Sequence, residues 1–557
     1  MTACSDVFVG IDVGTSSVRA LAVDSAGNIL GSASEALSIH EPSTDFYEQS
    51  SNQIWFMCCA AVKQLLSAGS FASQRVKAIG FDATCSLVIL DAEGIPLSVS
   101  PSQEGASPTS KYVWNVIMWM DHRAKQETEQ INGTKHAVLR TVGGAVSLEM
   151  EPPKLLWLKR NKPELWNRAG YFMDLADFLT YKATGDTQRS LCCVVCKWLY
   201  QADPTKGTWD CSFWNEIGLS ELCENDFRAI GSKIKPPGTP IGNGLCPSAA
   251  SDLGLQPGTV VATGIIDAHA GAIGVLGTKL PVELRQWPLV ECLAMICGTS
   301  TCHMALSEEP VFVSGIWGPY YGAVLPELWL NEAGQSAVGS VLDTVIKRFA
   351  DCHFQQSQLV QYHSDVLSRL ADYNQKYGAE QLAELARDVH VWPDYHGNRS
   401  PLANPHLTGA VLGLHLHSPS ALDSDVKSVY VAHVFSLAYM TKYIVHELSR
   451  KGHTIKAAFI CGGLQNNWLY VQAHADVLEL PVITADCDQC VALGAAMLAA
   501  NATGTFATTR HAMAALGQSG KVTRPQAELS RFHQKKYDIF QQLGRLMLTA
   551  QQTMRTE

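Results

Sequence analysis

The sequence predicts an α/β fold made of two related domains that face one another across a cleft. Near its start, an apolar, β-rich run ends at Asp12, turns at Gly14-Thr15-Ser16 and re-enters an alternating apolar run. A second stretch, Cys292 to Leu306, repeats this pattern around Gly298-Thr299-Ser300. Two similar hairpins, one in each half of a chain of 557 residues, indicate a duplicated domain.

Each hairpin has the residue types of a phosphate-binding turn. Gly14 allows a tight turn and a close approach of the backbone to a ligand, and the hydroxyls of Thr15 and Ser16 can hold phosphate oxygens. Asp12 stands at the mouth of the first strand, where a carboxylate can hold Mg²⁺ and its water shell against those phosphates. Ile296 takes the place of Asp12 in the second copy, so we expect the metal on the first side. An ordinary hairpin with a buried acid would also explain the first stretch taken alone.

Composition excludes several classes of protein. The net charge is −10 and no run of Lys or Arg stands out, so nucleic acid and anionic membranes are poor partners. We expect no secretory signal, and no stretch reaches the roughly 18 apolar residues of a spanning helix. The 17 cysteines include pairs such as Cys58-Cys59 in apolar runs, which fits a reducing compartment and predicts a cytoplasmic protein. Cys487 and Cys490 have metal or redox spacing, but without a second pair we interpret them as structural.

Periodicity predicts the elements of the first half in order. A three-strand meander is followed by a helix with apolar residues at helical spacing, and then by a strand that ends at Asp82. The predicted bounds are strands at 7–11, 17–24 and 28–34, a helix at 52–68, and strands at 76–81 and 87–91. A Ser-, Pro- and Gly-rich surface loop is expected at 98–111. After a largely helical stretch, Val260 to Ile266 reads as another strand, which ends at Asp267.

The second half begins near residue 275, so the predicted domains are 1–274 and 275–557. Its hairpin is followed by a helical insertion at about 335–388, a loop at 392–401, a long helix at about 419–451 and a strand over Ala457–Cys461. That strand stops at Gly462-Gly463, and the helix after it is expected to carry Asn466 and Asn467.

With three strand-end glycine sites in order, the chain resembles the superfamily of sugar kinases, actin and heat-shock ATPases, whose domains are RNase H-like. The chain carries six motifs in order: Asp12-Val13-Gly14-Thr15, Trp119-Met120-Asp121-His122-Arg123, Lys154-Leu155-Leu156-Trp157, Asp267-Ala268-His269, Gly409 to Leu414 and Gly462-Gly463. On these motifs it is similar, within that superfamily, to the FGGY carbohydrate kinases over about 7–500. Its substrate-side residues are most like the ribulokinase branch at Phe81 to Ser86, Cys196 to Trp198, Leu330 to Ser336 and His396 to Pro401. The link at 278–292 departs from the pattern.

The resemblance implies a cleft that binds ATP, Mg²⁺ and a ketopentose. It assigns the general base to Asp267 and the distal phosphates to Gly298, Thr299 and Ser300, while Gly462, Gly463 and Asn466 would hold the nucleoside. Sugar contacts are expected from Ala83, Asp121, Arg123, Lys197, Asp267 and Glu332. The sugar implied is D-ribulose, phosphorylated at its C5 hydroxyl. The sequence leaves open whether the protein forms a homodimer.

Alternatives remain for several of these residues. Asp267 could be a helix N-cap, since Asp-Ala-His-Ala-Gly would serve that purpose too. Without the resemblance, Lys197 and Glu332 would be surface residues, and Arg123 could line the cleft or pair with Asp121. His122 and His269 have no ligand partner at recognisable spacing, so neither is given a zinc role. L-ribulose or xylulose, a non-sugar ATPase and a silent sugar-binding regulator are the other functions that stay open.

Overall fold

The computed structural model describes residues 5–69, 71–100, 112–281, 287–349, 356–414 and 422–555. Most of the loop predicted at 98–111 and part of the link at 278–292 lie outside the described residues. The strands of the N-terminal half are β1 (Val7–Val13), β2 (Ser17–Asp24), β3 (Ile29–Ala36), β4 (Glu48–Gln49), β5 (Val76–Ala83), β6 (Leu87–Asp91), β7 (Val116–Ile117), β8 (Ala169–Asp174), β9 (Arg189–Ser190), β10 (Gln201–Ala202), β11 (Gly207–Thr208), β12 (Ile234–Lys235), β13 (Val260–Val261) and β14 (Ile265–Ile266).

The helices of this half begin with one that covers the first sheet and end with one that leads out of it. They are α1 (Ser51–Ala68), α2 (Lys125–Thr134), α3 (Glu151–Asn161), α4 (Pro163–Arg168), α5 (Leu175–Thr184), α6 (Leu191–Lys197), α7 (Cys211–Glu216), α8 (Pro247–Leu253) and α9 (Asp267–Leu276). The predicted domain limit at 274/275 falls inside α9, and the limits themselves stay a prediction.

The C-terminal half has its own sheet and helices. Its strands are β15 (Cys292–Cys297), β16 (Thr301–Ser307), β17 (Trp317–Tyr321), β18 (Trp329–Gln335), β19 (His390–Trp392), β20 (Ala410–Leu412), β21 (Ala457–Cys461), β22 (Val482–Ala485) and β23 (Gly520–Thr523). Its helices are α10 (Gly339–Phe349), α11 (Gln356–Tyr377), α12 (Ala379–Glu384), α13 (Leu422–Ser449), α14 (Trp468–Leu478), α15 (Cys490–Ala502), α16 (Thr509–Leu516) and α17 (Ser530–Arg555).

The two main sheets repeat one arrangement. In the first the strand order is β13-β5-β1-β2-β3, with β14 also paired to β5, and in the second it is β17-β18-β16-β15-β21-β22-β23. Each centre is an antiparallel hairpin, β1-β2 or β15-β16, whose first strand pairs in parallel with β5 or β21. All residues of β1 are buried, as expected of a central strand covered on both faces. The duplication predicted from the two hairpins is therefore confirmed.

Small residues bring the two halves into close contact. Helix α15 of the C-terminal half crosses α9 and the first sheet. A β-carbon on Gly494 would lie 1.9 Å from the Ala270 carbonyl oxygen, and one on Gly274 would lie 2.0 Å from the Cys490 carbonyl oxygen. Gly10 on β1 is equally close to Ala492 of α15, with 1.8 Å to its carbonyl oxygen. Glycine is needed at these crossings because backbone occupies the space of a side chain.

Several sequence predictions need correction. The strand predicted from Val260 to Ile266 is two short strands. They are separate because, between them, the Thr263 N–H donates to the Thr239 carbonyl oxygen instead of pairing with β5. Asn466 ends a 3₁₀ turn (Gly463–Asn466) and Asn467 caps α14, so neither lies within the helix. The insertion is helical, but it begins at Gly339 because the residues before it form β18.

Two further expectations can be compared with the described residues: the state of the cysteines and the presence of membrane-spanning helices. Every described cysteine is a free thiol, and Cys490 donates a hydrogen bond to the Cys487 carbonyl oxygen at 3.2 Å, which fits a structural pair. Within the described ranges, no helix combines the length and apolar character needed to span a membrane.

Candidate active site

Three carboxylates meet at the carboxyl ends of neighbouring parallel strands. Asp12 on β1 lies directly opposite Asp82 on β5, and Ala83 pairs with Ile266, the residue before Asp267. Parallel strands bring their carboxyl ends to one edge of a sheet, which is where α/β proteins place ligands. Sequence analysis singled out Asp12, Ala83 and Asp267 here but gave Asp82 no role. Its place at the end of a buried strand was the available signal.

Burial and mutual repulsion make this edge difficult to ionise fully. Burial and the charge of Asp12 raise the pKa of Asp267 to about 6. Burial and the charges of Asp12 and Asp267 raise the pKa of Asp82 well above its ordinary value. The pKa of Asp12 is also raised by burial, although the Arg19 guanidinium, 3.0 Å from its carboxylate, opposes this.

The orphaned oxygens of Asp82 fit a bound cation. Both are buried, and no described N–H or hydroxyl group donates to them; they face the Asp12 carboxyl instead. Buried carboxylates without a donor are costly, and a hard divalent cation with oxygen ligands would neutralise them. Asp12 and Asp82 are thus the residues that would hold Mg²⁺.

Asp267 is the first residue of α9 rather than its N-cap. The cap position is Ile266, and Asp267 accepts a 2.7 Å hydrogen bond from the adjacent Ala268 N–H. The side chain is not engaged in the bond to the second or third helical N–H that defines a cap. Its partly exposed carboxyl is therefore available to a ligand.

The two hairpin turns are open toward solvent. Gly14 donates to the Ser17 carbonyl oxygen at 3.0 Å, and Gly298 donates to the Ser300 carbonyl oxygen at 2.9 Å. Neither glycine has a positive φ. An added β-carbon would lie 3.5 Å or 3.9 Å from its nearest neighbour, so the fold itself does not demand glycine at either turn. The tight turn expected at Gly14 is present, but it does not by itself require glycine, and close approach of a ligand stays the predicted reason for glycine here.

Neighbouring side chains hold the turns in place. Trp119 donates from its indole Nε1 to the Thr15 hydroxyl at 3.0 Å. The Thr299 carbonyl oxygen accepts a hydrogen bond from the N–H of Val338, the residue before α10, at 2.8 Å. The Ser16 and Thr299 residues remain exposed. Rigid turns with free polar groups suit phosphate binding.

Gly462 and Gly463 differ in what they require. Gly462 has φ of 89°, and a β-carbon there would lie 2.5 Å from the Cys297 carbonyl oxygen at the end of β15. A β-carbon on Gly463 would meet nothing within 4 Å. Asn466 is exposed beside this turn. The fold therefore requires glycine at position 462, whereas position 463 faces open space.

Lys197 and Glu332 form a buried pair instead of lying on the surface. The ammonium of Lys197, at the end of α6, is 3.5 Å from Glu332 Oε1 and lies over the Trp317 ring, 4.2 Å from its centroid. Burial lowers the pKa of Lys197, but the Glu332 charge more than offsets this and the pKa lies above its ordinary value. Burial raises the pKa of Glu332, and Lys197, His269 and Arg399 outweigh it, so that the pKa is lowered. Both groups are therefore charged at neutral pH.

A second ion pair joins the two halves beside this one, and sequence analysis missed it. Arg399 Nη2 lies 2.6 Å from Glu149 Oε1, and the guanidinium is 5.6 Å from the centroid of the Trp317 ring. Arg399 belongs to the loop at 392–401, whose residues supported the ribulokinase resemblance without receiving a role.

Asp121 and Arg123 are paired, which is one of the two roles left open for Arg123. Arg123 donates from Nε and Nη2 to the Asp121 carboxylate at 2.9 Å and 2.7 Å, and its guanidinium lies over Phe46. Asp121 also accepts from the Tyr47 N–H at 2.7 Å. Both carboxylate oxygens are therefore engaged, and a sugar would have to compete with this network.

Comparisons with known proteins identify the family of the chain. Residues 7–274 match the N-terminal domain, and residues 293–503 the C-terminal domain, of the FGGY family of carbohydrate kinases. An FGGY carbohydrate kinase domain-containing protein of Xenopus laevis is 46% identical over 544 residues, 96% of each chain. A D-ribulokinase of Saccharomyces cerevisiae is 35% identical, over 93% of this chain and 74% of that protein. The crystal structure of xylulose kinase from Rhodospirillum rubrum shares the fold, with a TM-score of 0.75 at 18% identity over 98% of this chain and 99% of that one. The chain belongs to the FGGY family of carbohydrate kinases and is a sugar kinase of two domains.

Proposed function

We propose that this sugar kinase transfers the terminal phosphoryl group of ATP to the C5 hydroxyl of a ketopentose, with D-ribulose as the preferred substrate. The observation that carries the proposal is the buried pair of Lys197 and Glu332, of which Lys197 is close enough to Asp267 for its charge to lower the pKa of that carboxyl. At 3.5 Å this pair is loose, and Glu332 Oε2 has no hydrogen-bond partner among the described residues. Charged groups with unused bonding capacity suit the recognition of sugar hydroxyls.

Asp267 is the general base in this proposal. Its carboxylate takes the proton of the C5 hydroxyl as the oxygen attacks the terminal phosphorus, and ADP leaves in line on the opposite side. A pKa of about 6 leaves the group mostly ionised at neutral pH yet basic enough to accept a proton.

The remaining residues position the two substrates. Gly14, Thr15 and Ser16 of the first turn and Gly298, Thr299 and Ser300 of the second would hold phosphate oxygens, and Gly462, Gly463 and Asn466 the nucleoside. Asp12, joined by Asp82, would hold Mg²⁺, which neutralises charge on the transferred phosphoryl group. Ala83, which pairs with the residue before Asp267, would contact the sugar at the sheet edge. Asp121 and Arg123, which bond to each other, would position the sugar site.

The choice of D-ribulose draws on relatives and on chemistry. The yeast protein at 35% identity is named a D-ribulokinase. Lys197 can donate to the C2 carbonyl or a hydroxyl, and Glu332 can accept from two neighbouring hydroxyls. L-ribulose and xylulose would use the same groups with different hydroxyl positions. Free thiols throughout the described residues support a reducing compartment, and we place the enzyme in the cytoplasm.

The test is kcat/KM for D-ribulose, L-ribulose, D-xylulose, ribitol and glycerol under identical conditions. D-ribulose should lead, because each misplaced hydroxyl leaves a buried partner unpaired and costs about tenfold to a hundredfold. Glu332→Gln should shrink that lead, while Glu327→Gln, an exposed glutamate just before β18, should leave it unchanged. If glycerol or D-xylulose leads, the roles given to Lys197 and Glu332 fail while the kinase assignment stands.

A further inference from the structure

Two thiols and an imidazole are buried together beside the sugar pocket. Cys192 and Cys196 lie one turn apart on α6, and His269 lies in the first turn of α9. The Cys196 sulfur is 3.3 Å from His269 Nε2, and the ligand atoms of all three residues lie within 4.8 Å of one another. Each of the three is fully buried. Chain spacing could not reveal this cluster, because 73 residues separate Cys196 from His269.

Glu332 lies at the edge of this group, beside His269 but outside the set of ligand atoms that are all within 4.8 Å of one another. Its Oε2 atom is 3.6 Å from His269 Nε2 and is one of the buried oxygens without a hydrogen-bond partner in the described ranges. His269 Nδ1 likewise has no partner there. The group therefore contains polar atoms whose bonding capacity the fold leaves unused, which is unusual for a buried site.

The separation of Cys196 and His269 matches that of two ligands in a tetrahedral metal site. An ion with metal–sulfur bonds of about 2.3 Å and metal–nitrogen bonds of about 2.0 Å holds sulfur and nitrogen about 3.5 Å apart. The 3.3 Å between the Cys196 sulfur and His269 Nε2 is close to this value. Two sulfurs and one nitrogen favour Zn²⁺ or Cd²⁺ over Mg²⁺, which prefers oxygen ligands such as Asp12 and Asp82.

We propose that Cys192, Cys196 and His269 form a binding site for a thiophilic divalent cation, and that its occupation inhibits the kinase because the charge of the bound ion draws Glu332, 3.6 Å from His269 Nε2, away from the sugar. On binding, each thiol loses one proton to solvent and becomes a thiolate ligand, so that two protons are released for each ion bound. The inhibition rests on the proposed sugar-binding role of Glu332, whereas the metal site does not.

Cd²⁺ binding to the full chain tests the site itself. Sulfur-to-Cd²⁺ charge transfer absorbs in the ultraviolet, and we expect the wild-type protein to show a band that saturates with one tightly bound ion and releases two protons. Cys192→Ser should lose this band. Cys193→Ser is the matched control, because Cys193 is the adjacent buried thiol but interacts with Asp174 instead of His269. Equal Cd²⁺ binding by both variants would overturn the proposal.

A second readout separates the site from its effect on the kinase. Cd²⁺ should inhibit wild-type turnover competitively with the ketopentose, and Cys192→Ser should raise the inhibition constant at least about tenfold. Tight binding with inhibition that is not competitive would keep the metal site and refute the sugar role of Glu332. Should Cys192→Ser fail to fold, Cys196→Ser and the proton count of the wild-type protein decide: fewer than two protons per ion contradicts the proposed ligands.

Discussion

Asp267 and Asp82 show how neighbouring carboxyls acquire different properties from their surroundings. Asp267 is partly exposed and has a pKa of about 6, whereas Asp82 is fully buried beside two other carboxylates. One can exchange a proton with a ligand, and the other can be stable as an anion only next to a cation. These differences suit a base and a metal ligand respectively.

Asp267 should control the acid limb of the pH profile. The base must be ionised, and its pKa is raised, so turnover should fall as pH decreases through about 6 and should be fully developed above it. Asp267→Asn should lower kcat by about 10²–10⁴-fold with a much smaller change in sugar binding.

Asp210→Asn is the control for the Asp267 variant. Asp210 is a true helix N-cap that accepts from the Ser212 N–H, so its loss should affect stability alone. Steady-state kinetics from pH 5 to 8 would measure both variants. Near-wild-type turnover in Asp267→Asn would show that the base lies elsewhere.

In the absence of Mg²⁺, the charge of Asp82 should destabilise the folded enzyme. Its folded pKa is raised, so ionising it above the ordinary carboxyl pKa costs the folded state free energy, and removing the charge restores it. Asp82→Asn should raise the melting temperature at pH 7 by about 2–4 °C, the effect of about 1 kcal/mol in a domain of about 150–250 residues. The further stabilisation that Mg²⁺ gives the wild type should shrink.

Asp24, on the same sheet, is a control for which we expect the opposite change in melting temperature. Burial raises the pKa of Asp24, but hydrogen bonds from Asn28, Ala26 and Ser5 outweigh it and lower the pKa. Asp24→Asn should therefore reduce the melting temperature at pH 7 without altering the Mg²⁺ effect. Thermal unfolding with and without Mg²⁺ measures both, and an unchanged Mg²⁺ effect in Asp82→Asn would contradict the metal role.

At the scale of single elements, the turn after β21 requires only the first of its two glycines, Gly462. Gly462→Ala meets both a positive φ and the Cys297 carbonyl oxygen, whereas Gly463→Ala enters open space. We expect Gly462→Ala to destabilise the protein by about 1–3 kcal/mol and to raise the KM for ATP, because the Cys297 backbone leads into the second phosphate turn. Gly463→Ala should keep the wild-type melting temperature. Equal stability of the two variants would refute this account of the turn.

Across the whole molecule, the two hairpins imply a cleft that closes on its ligands. Ion pairs such as Glu149–Arg399 and Lys197–Glu332 join the halves beside the site, and α15 crosses α9 at glycine contacts. Small-angle scattering should show a smaller radius of gyration with sugar and a non-hydrolysable ATP analogue together than with either alone. An unchanged radius at saturation would count against closure.

Much of the fold could be predicted from local pattern. The hairpins, the helix after the meander, the strand that ends at Asp82 and the helical insertion follow from hydrophobic periods and glycine turns, which depend on residues close in sequence. The strand at Val260 to Ile266 was predicted wrongly because its break depends on a hydrogen bond to Thr239, which no local pattern encodes.

The sequence alone determined the duplicated α/β architecture, the phosphate-type turns, and Asp12 and Asp267 at strand ends, because each is a short-range pattern that recurs in order. Only the tertiary structure decided which distant side chains meet. It paired Lys197 with Glu332 and Arg399 with Glu149, opposed Asp82 to Asp12, and placed Cys192 and Cys196 against His269. Burial makes these contacts chemically important, because the properties of a charge or thiol removed from water are set by the groups that the fold places beside it.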